Sequence, residues 1–194
     1  MTPEAAEDAR NKLTETGPSV AVAFMINPEN YFEVITSLVD GFCRENDLAC
    51  IYVTASVPAA TMINALDSLE IDRKHVKFID CISYATMQLS GDTDAITYVE
   101  GPAMLENIIL RVEYLFRKAN KRKTLVIIDS VNAMAMHNDT RMLSEFIQIL
   151  MSALKGRDAY PVLLALGDQL RPEVKEMIGL VSDQVVSLGP RPSV

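Results

Sequence analysis

Short apolar segments alternate with amphipathic segments along almost the whole chain, and no other feature of the sequence constrains the fold as much. The apolar segments are rich in β-branched residues, as buried strands are. In the segments between them, hydrophobic residues recur at helical spacing, as Leu105, Ile108, Val112 and Leu115 do. Strands that are apolar throughout are covered on both faces. The pattern therefore predicts an α/β fold, a three-layer αβα sandwich with a mostly parallel central sheet.

The alternation also predicts where the elements lie. The predicted strands occupy residues 19–26, 49–55, 75–83, 124–130, 160–167 and 183–188. The predicted helices occupy residues 31–46, 58–69, 102–120, 139–156 and 171–180, with Asp139 as the N-cap of the fourth. A chain of 194 residues favours one domain. We expect a polar N-terminal leader over residues 1–18, one α/β domain over residues 19–188 and a flexible tail over residues 189–194.

Charge and cysteine content exclude several classes of partner. The net charge of −8 would repel a phosphate backbone. The basic stretch 117–123 is best interpreted as a solvated helix C-terminus. Three cysteines without paired spacing fit a reduced cytoplasmic protein, and no apolar run approaches the length of a membrane span. We expect no nucleic acid, no membrane and no metal ion as partners.

The ends of the strands are where a ligand would bind in such a fold, because parallel strands bring their carboxyl ends to one edge of the sheet. In "TLVIIDSVNAM", residues 124–134, a buried strand runs directly into Asp129. The polar residues of our candidate site are Asn27, Asn30, Thr54, Ser56, Asp129 and Ser130.

The loop after the first strand does not suit a triphosphate. A phosphate-binding loop needs glycines, so that backbone amides can surround the phosphates, followed by Lys and Ser or Thr. Here the loop reads "INPENYFEV" and contains neither glycine nor lysine. Glu29 lies where phosphate charge would sit, and Pro28 lacks an amide hydrogen.

Three segments in order resemble the RecA-superfamily ATPases, specifically the single-domain KaiC-like proteins of archaea. They are "IYVTASVPAATMINAL", similar to the second strand and helix, "TLVIIDSVNAM", similar to the Walker B strand, and "LVSDQVVSL", similar to the closing strand. The resemblance covers Ser19 to Leu188 and implies a RecA-like P-loop NTPase fold, with Asp129 as the Walker B aspartate. It also led us to expect the Walker B strand beside the first strand, with Asp129 near Asn27.

The sequence departs from that family at the positions that carry catalysis. The Walker A loop, which would fall at residues 26–31, is absent, and the positions of the catalytic glutamates read Ala55 and Ser56. Losing one such group typically lowers the rate on the order of 10²- to 10³-fold. We therefore expect no catalytic residues and no bound cofactor beyond weak nucleotide binding.

Three functions remain open at this point. The first is a non-hydrolysing KaiC-like protein that acts as a regulatory or scaffold subunit, with a protein partner, an active paralogue or a second copy of itself. The alternative is a nucleotide or small-ligand sensor that binds at the candidate site without turnover. The weaker alternative is an unrelated α/β enzyme.

Two further features have ordinary explanations in the sequence. The acidic loop "GDTD", residues 91–94, could offer two carboxylates to a cation but is more typical of a solvated loop. Methionines 142 and 151 share helical spacing with core residues, whereas an exposed Met134 or Met136 would indicate a protein interface.

Overall fold

Seven strands form one parallel sheet in the computed structural model, which describes residues 4–87, 91–119 and 122–189. The strands are β1 Val22–Ile26, β2 Ala49–Thr54, β3 Val76–Asp80, β4 Ile96–Tyr98, β5 Thr124–Asp129, β6 Tyr160–Leu166 and β7 Gln184–Leu188. Their order in the sheet is β4-β3-β2-β5-β6-β1-β7, and every neighbouring pair is parallel. The predicted α/β fold is confirmed.

Helices cover both faces of this sheet. They are α1 Glu4–Thr16, α2 Tyr31–Thr36, α3 Cys43–Glu45, α4 Ala59–Ser68, α5 Ser83–Met87, α6 Leu105–Lys118, α7 Val131–His137, α8 Thr140–Lys155 and α9 Pro172–Val181. A π-helical turn, Ser37–Phe42, joins α2 to α3. In the part of the chain that the structure describes, no helix has the length and apolarity needed to cross a membrane.

Alternating residues of the strands build two separate cores. On one face, Val53, Ile128 and Leu163 pack in a cluster to which α6, α7, α8 and α9 contribute. On the other face, Phe24 and Tyr52 pack in a cluster with α1, α2 and α4. Successive strand side chains point to opposite faces, so a strand that is apolar throughout feeds both cores.

The N-terminal segment belongs to the domain, which corrects the predicted leader and the predicted domain start at residue 19. Residues 4–16 form α1, whose Ala5, Ala9 and Leu13 are buried against the second face of the sheet. The Ser37 hydroxyl donates to the Ala6 carbonyl at 2.8 Å, which ties α1 to the π-helical turn. The buried face of α1 consists mostly of alanines, which are only weakly hydrophobic, so the segment was interpreted as polar from its sequence. The predicted tail lies outside the described residues except for Gly189.

Besides α1, the structure adds one strand, β4, and two short helices, α5 and α7, that we did not predict. β4 is a short edge strand that pairs with β3, and it lies between the third predicted strand and the third predicted helix, where we predicted no element. The helix α7 follows Asp129 directly and begins at the Ser130 N-cap. Three-residue strands and two-turn helices carry too little periodicity to be recognised from sequence.

The expected contact between the first strand and the Asp129 strand is wrong, because β6 lies between them. Val162 of β6 pairs with Val22 of β1 on one side and with Ile127 of β5 on the other. Strand order depends on which helix crossings pack best, and an individual strand sequence does not encode it.

The first turn of α8 is stabilised by an N-cap that mutation can test. The Asp139 carboxylate accepts a hydrogen bond from the Met142 amide at 2.9 Å, as the sequence predicts for an N-cap. We expect Asp139→Ala to lower the free energy of unfolding by about 1 kcal/mol in urea denaturation, and Asp139→Asn to keep most of the stability. Equal losses in both variants would argue against capping.

Candidate functional site

Asp129 is the last residue of β5, and its side chain is fully buried. Three hydroxyl groups donate hydrogen bonds to its carboxyl group. The Ser56 hydroxyl lies 2.9 Å from Oδ1, the Tyr31 hydroxyl donates to the same oxygen, and the Tyr52 hydroxyl donates to Oδ2. Hydroxyl groups thus surround the carboxyl group on the sheet edge where a ligand was expected.

The sheet register explains why these groups meet. Thr54 of β2 pairs with Asp129, and Tyr52 pairs with Ile127, so Tyr52 and Asp129 lie on the same face, two positions apart in the register. Ser56 follows the end of β2. Tyr31 begins α2, and this helix packs over the same face. Neighbouring parallel strands and the helix that covers them thereby bring three distant hydroxyl groups to one carboxyl group.

Burial governs the electrostatics of this cluster. Removal from water disfavours the charged form and raises the pKa of the Asp129 carboxyl group to about 7. Burial also raises the pKa of the Tyr52 phenol well above its usual value, so this hydroxyl keeps its proton. Near neutral pH, Asp129 exchanges a proton inside a ring of hydroxyl groups and carries only part of a negative charge.

Only part of the candidate site assembles around Asp129. Ser56 contacts the carboxyl group directly. Thr54 turns back and donates its hydroxyl hydrogen to the Val57 carbonyl, whereas Ser130 accepts a hydrogen bond from the Ala133 amide and caps α7.

The two asparagines of the candidate site do not join this cluster. Asn30 is half-buried and immediately precedes Tyr31. Asn27 lines a different surface cavity of about 400 Å³, together with Gly167, Asp168 and Lys175. The predicted crevice is therefore divided, because the insertion of β6 separates the end of β1 from the end of β5.

Two residues at the centre of the site, Tyr31 and Tyr52, were missed in the sequence. A tyrosine inside an otherwise apolar strand is a signal, because a buried phenol needs a hydrogen-bond partner. Tyr52 stands in such a strand, "ACIYVT". Its partner could not be identified, since that requires knowing that β2 and β5 are neighbours.

A second buried carboxylate, Asp80 at the end of β3, has a structural role. It accepts hydrogen bonds from the amides of Ala59, Ile82 and Ser83, at 2.8, 2.9 and 2.8 Å, and from the Ser83 hydroxyl at 2.7 Å. These donors connect the starts of α4 and α5 to the sheet edge. Backbone amides thus supply three of these four donors to Asp80, whereas side-chain hydroxyl groups supply the three donors to Asp129.

The carboxylates of the acidic loop, residues 91–94, form ion pairs with basic side chains of the protein. Asp92 forms an ion pair with Arg111, and Asp94 forms one with Lys77, both at 3.2 Å. Over residues 4–87, 91–119 and 122–189, no group of three or more His, Cys, Asp or Glu side chains could hold a metal ion.

Comparison with known proteins identifies the family. The family model for the KaiC ATPase domain matches residues 38–187, more than half of the chain. The chain belongs to the KaiC ATPase family. The resemblance seen in the sequence is therefore not accidental, and the alternative of an unrelated α/β enzyme is dropped. The strand adjacency expected from the resemblance is nevertheless absent from the sheet, where β6 lies between β5 and β1.

A solved structure shares the fold of this KaiC-family chain. A KaiC-like protein of the hyperthermophilic archaeon Pyrococcus horikoshii OT3 aligns with a TM-score of 0.59 and 16% identity, over 88% of this chain and 71% of the other. No curated protein matches the sequence. The family match begins at residue 38, so β1 and its loop, which holds Asn27, Asn30 and Tyr31, precede the matched residues.

The raised pKa of Asp129 predicts a pH-dependent stability. The folded chain holds a proton up to about pH 7, whereas the unfolded chain releases it near the ordinary value of 3.8. The stabilisation is therefore complete at low pH and lost as the pH rises towards 7. Relative to Asp129→Asn, we expect the wild type to lose up to about 3 kcal/mol of unfolding free energy between pH 5 and pH 8.

Urea denaturation at several pH values measures this difference. The control is Tyr31→Phe, which removes one hydroxyl group and leaves the carboxyl group, and which should keep the pH dependence of the wild type. Parallel stability profiles for the wild type and Asp129→Asn would show that the carboxyl group titrates normally.

Proposed function

We propose that this KaiC-family protein does not hydrolyse ATP and acts as a regulatory or scaffold subunit. The observation that carries the proposal is the hydrogen bond from the Tyr31 hydroxyl to the Asp129 carboxyl group. Tyr31 comes from the segment that follows β1, where a P-loop protein would place its phosphate-binding loop. A side chain of the protein thus takes the place next to Asp129 that a metal–nucleotide complex would need.

The surroundings of Asp129 support the absence of metal binding. A Walker B aspartate acts through a charged carboxylate that contacts the magnesium shell. Here the carboxyl group has no solvent exposure, and burial raises its pKa to about 7. Binding a cation would require breaking hydrogen bonds to Tyr31, Tyr52 and Ser56 and reopening the edge of the sheet.

The positions expected for a general base also lack one. Ala55 is a buried, apolar residue, and the hydroxyl group of Ser56 is already engaged with Asp129. Neither side chain can accept a proton from an attacking water as a carboxylate would. The sequence of residues 26–36 supplies no lysine for the phosphates.

The exposed methionine of α7 supports the part of the proposal that concerns a protein partner. Met134 is buried, but Met136 is 83% exposed. Met136 borders a shallow depression of about 400 Å³ together with Leu170 and Val174. Flexible methionine side chains suit protein contacts. We propose this surface for binding an active paralogue or a second copy of the chain.

Phosphate release from Mg·ATP tests the absence of catalysis. We expect the wild type and Asp129→Asn to give the same background rate, with an active KaiC-family ATPase assayed in parallel as a positive control. If Asp129 were catalytic, its replacement would lower the rate on the order of 10²-fold. Turnover by the wild type that Asp129→Asn abolishes would refute the proposal.

Sedimentation velocity over a range of protein concentrations tests the surface around Met136. We expect the wild type to self-associate and Met136→Glu to shift the equilibrium towards monomer, because a buried charge opposes an apolar interface. The matched control is Leu69→Glu, at a 55% exposed leucine that follows α4 on the other face of the sheet. Identical sedimentation of wild type and Met136→Glu would exclude this surface.

A further inference from the structure

Basic residues from two distant parts of the sequence meet in one cavity at the amino end of the sheet. Lys74 and Lys77 lie at the start of β3, and Lys118 and Arg122 lie around the end of α6 and the start of β5. All four line a cavity of about 370 Å³ next to the first residues of β2. Because the strands are parallel, this cavity lies at the opposite edge of the sheet from Asp129.

The cavity is positively charged on a protein that is negatively charged overall. Its two acidic lining residues, Asp92 and Asp94, are neutralised by Arg111 and Lys77, at 3.2 Å each. Lys74, Lys118 and Arg122 also line the cavity, and the carboxylates that pair with Lys74 and Arg122, Asp72 and Asp47, are not part of its lining. The whole chain carries a net charge of −8, so this local field opposes the overall one. The sequence alone does not reveal this arrangement, because Lys118 and Arg122 meet Lys74 and Lys77 only in the folded chain.

The present partners of these three cations leave them available to a ligand. Arg122 pairs with Asp47, whose side chain is 91% exposed, and Lys74 lies 3.6 Å from Asp72. Lys118 lies 4.7 Å from the centre of the Tyr114 ring. Exposed ion pairs contribute little stability, so an anion that binds several of these cations at once can replace them.

The rest of the cavity suits a small organic molecule. Its apolar lining includes Ile51, Leu115 and Ala119, and the Tyr114 phenol adds an aromatic surface with a hydroxyl group. Ligand sites typically combine such an apolar lining with a few polar groups, in volumes of about 300–1,000 Å³. The cavity lies within this range, near its lower end.

We propose that this cavity binds a small molecule that carries a phosphate or diphosphate group. Lysine and arginine contact phosphate oxygens through charge-assisted hydrogen bonds, and Lys118 and Arg122 supply such donors. The apolar lining then contacts the organic part of the ligand. A nucleic acid shares the phosphate chemistry, but the net charge of −8 and the limited volume favour a small molecule.

Isothermal titration calorimetry at constant ionic strength tests the proposal. The probes are inorganic pyrophosphate and AMP, and adenosine serves as the control without phosphate. We expect at least one of the two phosphate probes to bind the wild type and adenosine not to bind. The double variant Lys118→Gln/Arg122→Gln should bind that probe at least about tenfold more weakly.

Matched variants locate the binding. Lys123→Gln removes a charge next to Arg122, but Lys123 pairs with Asp158 at 3.7 Å and does not line the cavity, so we expect unchanged affinity. Asp129→Asn should also leave the affinity unchanged, because it alters the opposite edge of the sheet. Thermal unfolding of each variant verifies that it is folded, as expected for exposed side chains.

Three results would overturn the proposal. The first is that neither pyrophosphate nor AMP binds. The second is that the double variant and Lys123→Gln weaken binding equally, which would indicate a general charge effect. The third is that a single-stranded oligothymidylate binds while both small probes do not, which would indicate a nucleic-acid surface. None of these results depends on whether the protein hydrolyses ATP.

Discussion

The buried Asp129 carboxyl group is the constraint on which the candidate site depends. A charged carboxyl group without solvent exposure needs hydrogen-bond donors, and burial shifts it towards its protonated form. Three hydroxyl groups donate to Asp129, and burial raises its pKa to about 7. The donors come from α2, from β2 and from the segment after β2, so satisfying one side chain fixes the relative positions of three segments. The same arrangement places hydroxyl groups of the protein around the carboxyl group at the carboxyl edge of the sheet.

The two edges of the sheet consequently differ in chemistry. At the carboxyl edge, Asp80 and Asp129 are buried and fully occupied by donors of the protein itself. At the amino edge, Lys118 and Arg122 line a cavity with basic residues, and Arg122 pairs with the exposed side chain of Asp47. A buried carboxyl group whose hydrogen bonds are satisfied stabilises the fold. An exposed cation in an ion pair can instead exchange its partner for a ligand, and our two proposals rest on this difference.

Local pattern predicted much of the fold but less of the site. Continuous apolar strands and the helical spacing of Leu105, Ile108 and Val112 indicated the layers, and the N-cap at Asp139 is confirmed. The prediction was wrong where the signal was short or misleading. Alanines hid the buried face of α1, and β4 is too short to show a period. Ser56 and Asp129 do meet, but Asn27 was expected beside them and lies in another cavity.

The sequence by itself determined the class of fold, the position of Asp129 at the end of a buried strand and the lack of glycine and lysine in the first loop. These properties are local, since they depend on residue type and on spacing along a single segment. Only the tertiary structure decided that β6 separates β1 from β5, that Tyr31 and Tyr52 contact Asp129, and that basic residues from two parts of the chain share one cavity. Each of these depends on strand order, which arises from the packing of whole helices on the sheet.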